Sequence, residues 1–538
     1  MKQILYFLLV SIFCTVLHSQ DKSVQKIYIF YSNDLQAGIG QQKAVFMNPD
    51  FPPVLGGGAA VSGILEDYRE KAEDNGDIVL LLDAGDIFYS SKPIGIESNG
   101  LAVIDYMNTI GYDAMAPGNH DFDLGRDAFS KIAESAAFPV LAANLRYSDN
   151  HKGPENLKTH TLIQTGGLQI GLFGIVSKSA ELNDDPAAVE GLIFSDEVPA
   201  AKKAVESLKK DGADLIIALA HLGLSYDAEE GYLYIEQSRK QNIENNSYVN
   251  AMELAASVPG IDVLVSGKIH RGYQEPWEDP ANHTICVQNY ANGGNLGLMI
   301  LNINKTSKKI TGYELPSADG GLLLLSEDEF WPEPEMAQKI KDLQAEYEEG
   351  FDDIIGITTK TISRSSSGES PMGNLMCDAM LEAGRADFVF NNFSGMRQDL
   401  AIGGITPRKI ADVFPFGNEI VVVEMKGSLI LDLLEGSVRG TYSGLAIGGG
   451  KIEYDDDRPD GSKITLFEIA GSELDPEKTY KTAMTEYLAE GNYGMNKLAY
   501  LPDEKFNYTG IIVKEAVVNY IRKNSPLNIE TDGRWKRK

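Results

Sequence analysis

Seven side chains in the first half of the sequence have the chemistry to hold metal ions and to move protons: Asp34, Asp86, Asn119, His120, Asp123, His221 and His270. Carboxylates, an amide oxygen and imidazoles together suit zinc, manganese or cobalt, whereas the hardest ions want oxygen alone. Ions held by such a set can polarise a phosphoryl oxygen and lower the pKa of a water. Taken singly, each residue has a plain structural explanation. Gly85-Asp86 can be a turn, Asn119 in "GNHD" a capping residue, and His221 after "LIIALA" a core histidine. The stretch "IFYSNDLQAG" poses the question most sharply. Asp34 closes an apolar run, but two residues on, where a second ligand belongs, stands Gln36, a weak donor.

What unites these residues is their position. They follow apolar runs: "KIYIFY", "DIVLLLDAGD", "YDAMAPGNHD", "ADLIIALAHLG" and "IDVLVSGKIH", with "FPVLAANL" and "QIGLFGIVS" completing the set. Near-continuous apolar runs are expected of strands buried on both faces. Between them lie amphipathic stretches such as "AAVSGILEDYREKAEDNG" and "PAAKKAVESLKKDG", each ending in Gly, a helix stop. Strand alternating with helix predicts a layered α/β fold with its polar residues gathered at strand ends. A chain of 538 residues is too long for one core. The texture changes at Ser326, where an acidic stretch with two prolines runs into a long polar helix. The expected division is a first domain over 25–325, a linker helix over 326–353, and a second, smaller α/β or α+β domain over 354–538.

The formal net charge of −30 argues against a nucleic-acid duplex or an anionic membrane surface as the main partner. Any phosphate ligand must therefore be met by local cations. Residues 1–20 read as a secretory signal peptide: Lys2, an apolar run from Ile4 to Leu17, then Ser19-Gln20. That run is too short to span a bilayer comfortably, and nothing later is apolar enough for stable membrane insertion. Export leaves Cys286 and Cys377, in different predicted domains, where buried free thiols are expected over a disulfide.

Taken in order, Asp34, Gly85-Asp86, "GNHDFD" at 118–123, Ala220-His221 and His270 resemble the calcineurin-like metallophosphoesterase signature. The "GNHDFD" form and the second domain make the chain similar to the secreted 5′-nucleotidase family, which includes UDP-sugar hydrolases and 2′,3′-cyclic phosphodiesterases. The resemblance implies a layered β-sandwich flanked by helices, followed by a substrate-binding domain. It implies an enzyme of the periplasm or the cell exterior, acting on a nucleotide or other small phosphate ester. One or two divalent ions (Mn, Zn, Co or Mg) would serve it. Asp86 would bridge the ions, Asp34 and His270 would hold the first, and Asn119 and His221 the second. His120 would meet the phosphate, with Asp123 orienting its ring, while a metal-activated water attacks phosphorus in line.

The chain departs from that pattern twice. The family has Asp-x-His where this sequence has Asp34-Leu35-Gln36, and Gly-His-x-His where it has Gly267-Lys268-Ile269-His270. Each metal position thus loses an imidazole. A Gln36 carbonyl suits manganese or magnesium better than zinc. Lys268 cannot ligate while protonated, but its ammonium can stand in for part of the second ion's charge or bind phosphate. Three readings stay open: a weaker or one-metal enzyme, an enzyme of altered metal preference, and a non-catalytic protein that binds a nucleotide or phospho-sugar. His120 and Asp123 favour an enzyme, because the family does not use them as ligands.

In the second domain the resemblance assigns Asn392, Gly395 and Arg397 of "NNFSGMR", Phe416 of "PFGN", and Tyr487 of "EYLAEGNYG" to substrate. Two rings can stack a base, and a guanidinium matches two phosphate oxygens. Ser366 stands where a phosphate-binding Arg is usual, with Arg364 two residues upstream, and Tyr493 stands where a ribose-binding Asp is usual. AMP-like substrates are expected, with a weakened sugar clamp.

Overall fold

The computed structural model describes residues 23–538 apart from 45–46, 49–50, 89–91, 149–152, 183–185, 226, 242–248, 366–367, 415, 417, 439–444, 490, 499–500 and 503–504. The signal segment 1–20 and Ser366 lie outside the described residues. Within them the apolar runs become strands. β1 (Val24–Ser32), β2 (Ile78–Asp83) and β3 (Ala114–Met115) run parallel in one sheet. β4 (Leu168–Val176), β5 (Leu215–His221), β6 (Val263–Ser266) and β7 (Ile285–Gln288) run parallel in another. β8 (Asn295–Asn304) returns antiparallel along β1.

The period of two along β1 builds the layers. Ile27, Ile29 and Tyr31 face the second sheet and pack with Leu80, Leu82, Ile170, Leu172, Ile217 and Val265. Tyr28 and Phe30 face outward, onto helices that include α1 (Gly57–Asn75). The second sheet covers its own outer face with the helices Glu197–Lys210 and Ala251–Ser257. The result is two sheets face to face between helical layers, as the resemblance implied.

An aspartate just before each of four strands fixes the register at the end remote from the chemistry. Asp77, Asp113, Asp214 and Asp262 accept hydrogen bonds from the N–H groups of Lys26, Leu81, Gln169 and Ile216 on neighbouring strands, at 2.8 to 2.9 Å. With that end fixed, Ser32 lies beside Asp83, Asp83 beside Met115, Val176 beside His221, and Ala220 beside Ser266. The carboxyl ends of both sheets therefore finish together, and the loops that leave them meet.

α2 (Pro334–Tyr347) lies within residues 326–353, read from the sequence as a linker helix, but it is not a polar spacer. Its N-terminus is capped by Glu333, which accepts from the N–H groups of Glu335 and Met336. Met336, Ile340 and Leu343 are buried in the first domain's outer core. Just beyond it, Glu348 and Asp352 both bind Arg408, on the helix Pro407–Val413 of the second half. That half is built on a mixed five-stranded sheet, with Phe388–Asn392 parallel to Thr479–Thr485 and the other pairings antiparallel. The helices Pro371–Gly384 and Val513–Asn524 cover one face of it. Cys286 and Cys377 are free thiols and buried. No helix of the described residues is long and apolar enough to cross a membrane.

Candidate metal centre and the cavity beside it

The loops that carry the candidate ligands hold unusual backbone. Asp34, Gln36, Asp86, Lys268 and His270 have φ of 50°, 48°, 57°, 84° and 57°, left-handed values that non-glycine residues rarely adopt. Such strain persists only where the surroundings over-determine it. Here glycines let the loops touch. A Cβ on Gly118 would lie 2.0 Å from Asp86 Oδ1, one on Gly85 2.4 Å from the Gly118 nitrogen, and one on Gly267 2.9 Å from His221 Nδ1. Buried polar groups then pin them. Asp121 accepts from the N–H groups of Asp86, Ile87 and Gly118 at 3.1, 3.0 and 2.7 Å. Asp83 accepts from Ser32 Oγ at 2.6 Å and the Gly85 N–H at 2.8 Å. Asn33 donates to Asp34 Oδ2 at 2.7 Å. The sequence reading missed Asp121, Asp83 and Asn33. Asp121 was signalled only by its place inside "GNHDFD".

Asp34, Asp86 and His221 are buried, and each brings a ligand atom within 4.8 Å of the others. His221 Nδ1 donates to the Ala84 carbonyl at 2.7 Å. That bond turns Nε2 toward Asp86 Oδ2 at 3.0 Å, with which the protonated ring pairs, and toward Asp34 Oδ1 at 3.8 Å. Asp34 Oδ1 is buried without a hydrogen-bond partner beside the His221–Asp86 pair. An orphaned buried oxygen of this kind is rare and costly, and a cation set among the three residues removes the cost. The residues therefore fit a divalent ion. Burial opposes a charged imidazole at His221, yet Asp86 and Asp34 outweigh it and raise its pKa to about 9. Burial, with Asp86 nearby, raises the Asp121 carboxyl to about 7. His270 sits at the rim, its Nε2 3.4 Å from Asp34 Oδ1 and 2.8 Å from the Gln36 amide nitrogen.

The remaining groups are arranged around this cluster. The His120 N–H donates to Asp86 Oδ1 at 2.8 Å, and His120 Nδ1 pairs with Asp123 Oδ2 at 2.8 Å. Burial lowers the His120 pKa, but the Asp86 charge and the Asp123 hydrogen bond outweigh it, so the net shift is upward. Lys268 enters from β6. Its N–H donates to Asp34 Oδ2 at 2.9 Å, and Nζ donates to Asn119 Oδ1 at 2.7 Å and Ser179 Oγ at 3.2 Å.

Gln36, Asp86, Asn119, His120, Lys268 and His270 open onto a cavity of about 2330 Å³, which Arg364, Arg397 and Phe416 line from the second half. A cavity of about 1480 Å³ adjoins it, lined by His120, Asp123, Asn392, Gly395, Arg397, Phe416 and Tyr487. Every substrate position read from the sequence thus lies on space shared with His120. The Arg397 guanidinium lies over the Phe416 ring, 5.0 Å from its centroid. A side chain at Gly395 would meet nothing within 4 Å, so space does not require glycine there. Tyr493 packs against the second half's core.

Comparison with known proteins agrees with this architecture. Residues 54–272 match the calcineurin-like phosphoesterase family model, and residues 352–500 match the 5′-nucleotidase C-terminal domain. Endonuclease YhcR of Bacillus subtilis is 24% identical over 94% of this chain, which spans only 40% of that relative's length. Protein UshA of Yersinia enterocolitica is 26% identical over 87% of this chain and 88% of its own. The crystal structure of a 5′-nucleotidase precursor from Thermus thermophilus shares the fold, with a TM-score of 0.71 at 23% identity over 95% of this chain and 99% of that one.

Proposed function

This chain is a metallophosphoesterase of the 5′-nucleotidase family, and from that premise we propose that it is exported and hydrolyses nucleoside monophosphates such as AMP to nucleoside and phosphate. The observation that carries this reading is the buried Asp34–Asp86–His221 cluster, with Asp34 Oδ1 left without a hydrogen-bond partner, beside the His120–Asp123 pair. A divalent ion bound there supplies Lewis acidity to a phosphoryl oxygen and an acidified water. Asp34, Asp86 and His221 would hold it, with His270 and Gln36 at the rim. Manganese is the proposed ion, because a Gln36 amide turned away from His270 would offer oxygen where an imidazole is usual.

The chain's own groups do the rest. Asp123 keeps the proton on His120 Nδ1, so the ring presents one defined nitrogen to the substrate. As an imidazolium, His120 donates to a phosphoryl oxygen as charge builds on it. Arg397 is the one guanidinium proposed to bind the phosphate oxygens. Phe416 and Tyr487 take the base between them, for which the Arg397 guanidinium must leave the Phe416 face. Water adds to phosphorus as the bond to the nucleoside oxygen breaks, and that oxygen takes up a proton. Export rests on the pattern of residues 1–20.

The test is phosphate release from AMP by the mature protein, stripped with chelator and resupplied with manganese, cobalt, zinc or magnesium in turn. Release should return with manganese and fall 100-fold or more, on the order of an electrostatic catalytic group's contribution, in His120→Ala. Unchanged release in that variant would sink the assignment. UDP-glucose and 2′,3′-cyclic AMP run in parallel identify a different leaving group.

A further inference from the structure

The family's second ion would need Asn119, Asp86 and His221 together with an imidazole at position 268, and this chain has a lysine there. Lys268 Nζ is not turned away into solvent. It donates to Asn119 Oδ1 at 2.7 Å, using the amide oxygen that would coordinate, and is steadied by Ser179 Oγ at 3.2 Å. The backbone beneath it has little freedom. Gly267 has no room for a Cβ between His221 Nδ1 and Asp34 Oδ2, and the Lys268 N–H is tied to Asp34 Oδ2 at 2.9 Å. Asp34 and Asp86 remain as a compact ligand set, which His221 closes here in place of the second position the resemblance gives it. One half of the constellation fits a divalent ion, and the other half does not.

We infer that this chain binds a single divalent ion, and that the Lys268 side chain, held on Asn119, occupies the position of a second. The inference rests on the reading of the Asp34–Asp86–His221 cluster as a metal centre. An ammonium at that point repels a dication and leaves it only a depleted ligand set. It also supplies, as one fixed positive charge, part of what a second ion would bring to a phosphoryl oxygen. Unlike an ion, it cannot be removed by chelation. In a site of this kind the two ions stand roughly 3.5–4 Å apart, close enough to couple magnetically, so the two cases have different spectra.

The experiment is manganese binding by the whole mature chain without substrate, with bound metal counted after equilibrium dialysis and the same samples examined by electron paramagnetic resonance. The wild type should take up one ion per chain with the spectrum of an isolated ion. Lys268→His should take up a second and show an exchange-coupled pair. Two ions on the wild type overturn the inference and leave the metal centre intact; no ion overturns both. A folded Lys268→His that still holds one ion also overturns it. Should that variant not fold, Lys268→Gln carries the test: removing the charge must let a second ion bind weakly at high manganese, and a stoichiometry of one would again count against Lys268. Hydrolysis plays no part in the readout, so an error over the substrate does not affect the outcome.

Discussion

Gly118 carries no side chain, yet the centre depends on it. A methyl there would overlap Asp86 Oδ1 at 2.0 Å and press on the Asp86 nitrogen at 2.5 Å. Gly118→Ala should therefore cost the chain its metal affinity by 10-fold or more, on the scale seen when a ligand's orientation is lost. Calorimetric titration with manganese measures this directly, and an unchanged affinity would mean that Asp86 is not a ligand. The types of the candidate ligands were legible in the sequence because carboxylates and imidazoles after apolar runs have few other uses in such numbers. The groups that orient them were not. Asp83 reads as the end of a strand, Asn33 as a turn residue, and Asp121 as one more acid in an acidic protein. Only the folded loops show that Asp121 gathers the N–H groups of Asp86, Ile87 and Gly118, that Asp83 accepts from Ser32 Oγ and the Gly85 N–H, and that Asn33 donates to Asp34. The reach of Lys268 to Asn119 was equally hidden, since 149 residues separate the two.

The strands position these loops because their opposite ends are tied, and that tie has a pH signature. Asp113 precedes β3 and accepts from the Leu81 N–H of β2 at 2.8 Å. Burial raises its carboxyl to about 6; the Leu81 hydrogen bond and Arg69 only partly offset this. A carboxyl raised in the folded state favours folding while protonated, so its contribution is full below the ordinary carboxylate range and is lost as pH rises through about 6. Asp113→Asn keeps an oxygen for the Leu81 N–H but cannot ionise. Its urea midpoint, relative to the wild type, should therefore move upward between pH 4 and pH 7, and a difference that stays flat would show that Asp113 titrates as an exposed acid. The strands themselves were legible from period and apolarity. The helix over 334–347 was legible as a helix but not in its role. Set among its glutamates it looked polar, and only packing reveals that Met336, Ile340 and Leu343 form one stripe closing the first core. The residues just past the helix are polar by contrast: Glu348 and Asp352 grip Arg408 from the other half.

Across the whole molecule, the proposed function draws metal chemistry and substrate recognition from different halves, which meet at the cavities. The first half brings Asp86 and His120 to the shared space, with Asp34 and His221 buried behind them, and the second brings Arg397, Phe416 and Tyr487. If the halves divide the work in this way, they can be separated by choice of substrate. A small aryl phosphate such as p-nitrophenyl phosphate needs the metal and His120 but has no nucleobase to stack. Stacking on an aromatic side chain is worth about 1–3 kcal/mol, which corresponds to roughly 5- to 150-fold in affinity. Phe416→Ala should therefore raise the KM for AMP within that range and leave kcat/KM for p-nitrophenyl phosphate nearly unchanged. An equal loss on both substrates would mean that Phe416 supports the architecture and does not read the base. Loss on neither would place the nucleoside elsewhere. On the resemblance, Tyr493 stands where a carboxylate would hold the ribose, and here it packs against the core. A site with one sugar contact fewer leans harder on its rings, so an intact response to Phe416→Ala would show that stacking carries the selection that the sugar clamp no longer provides.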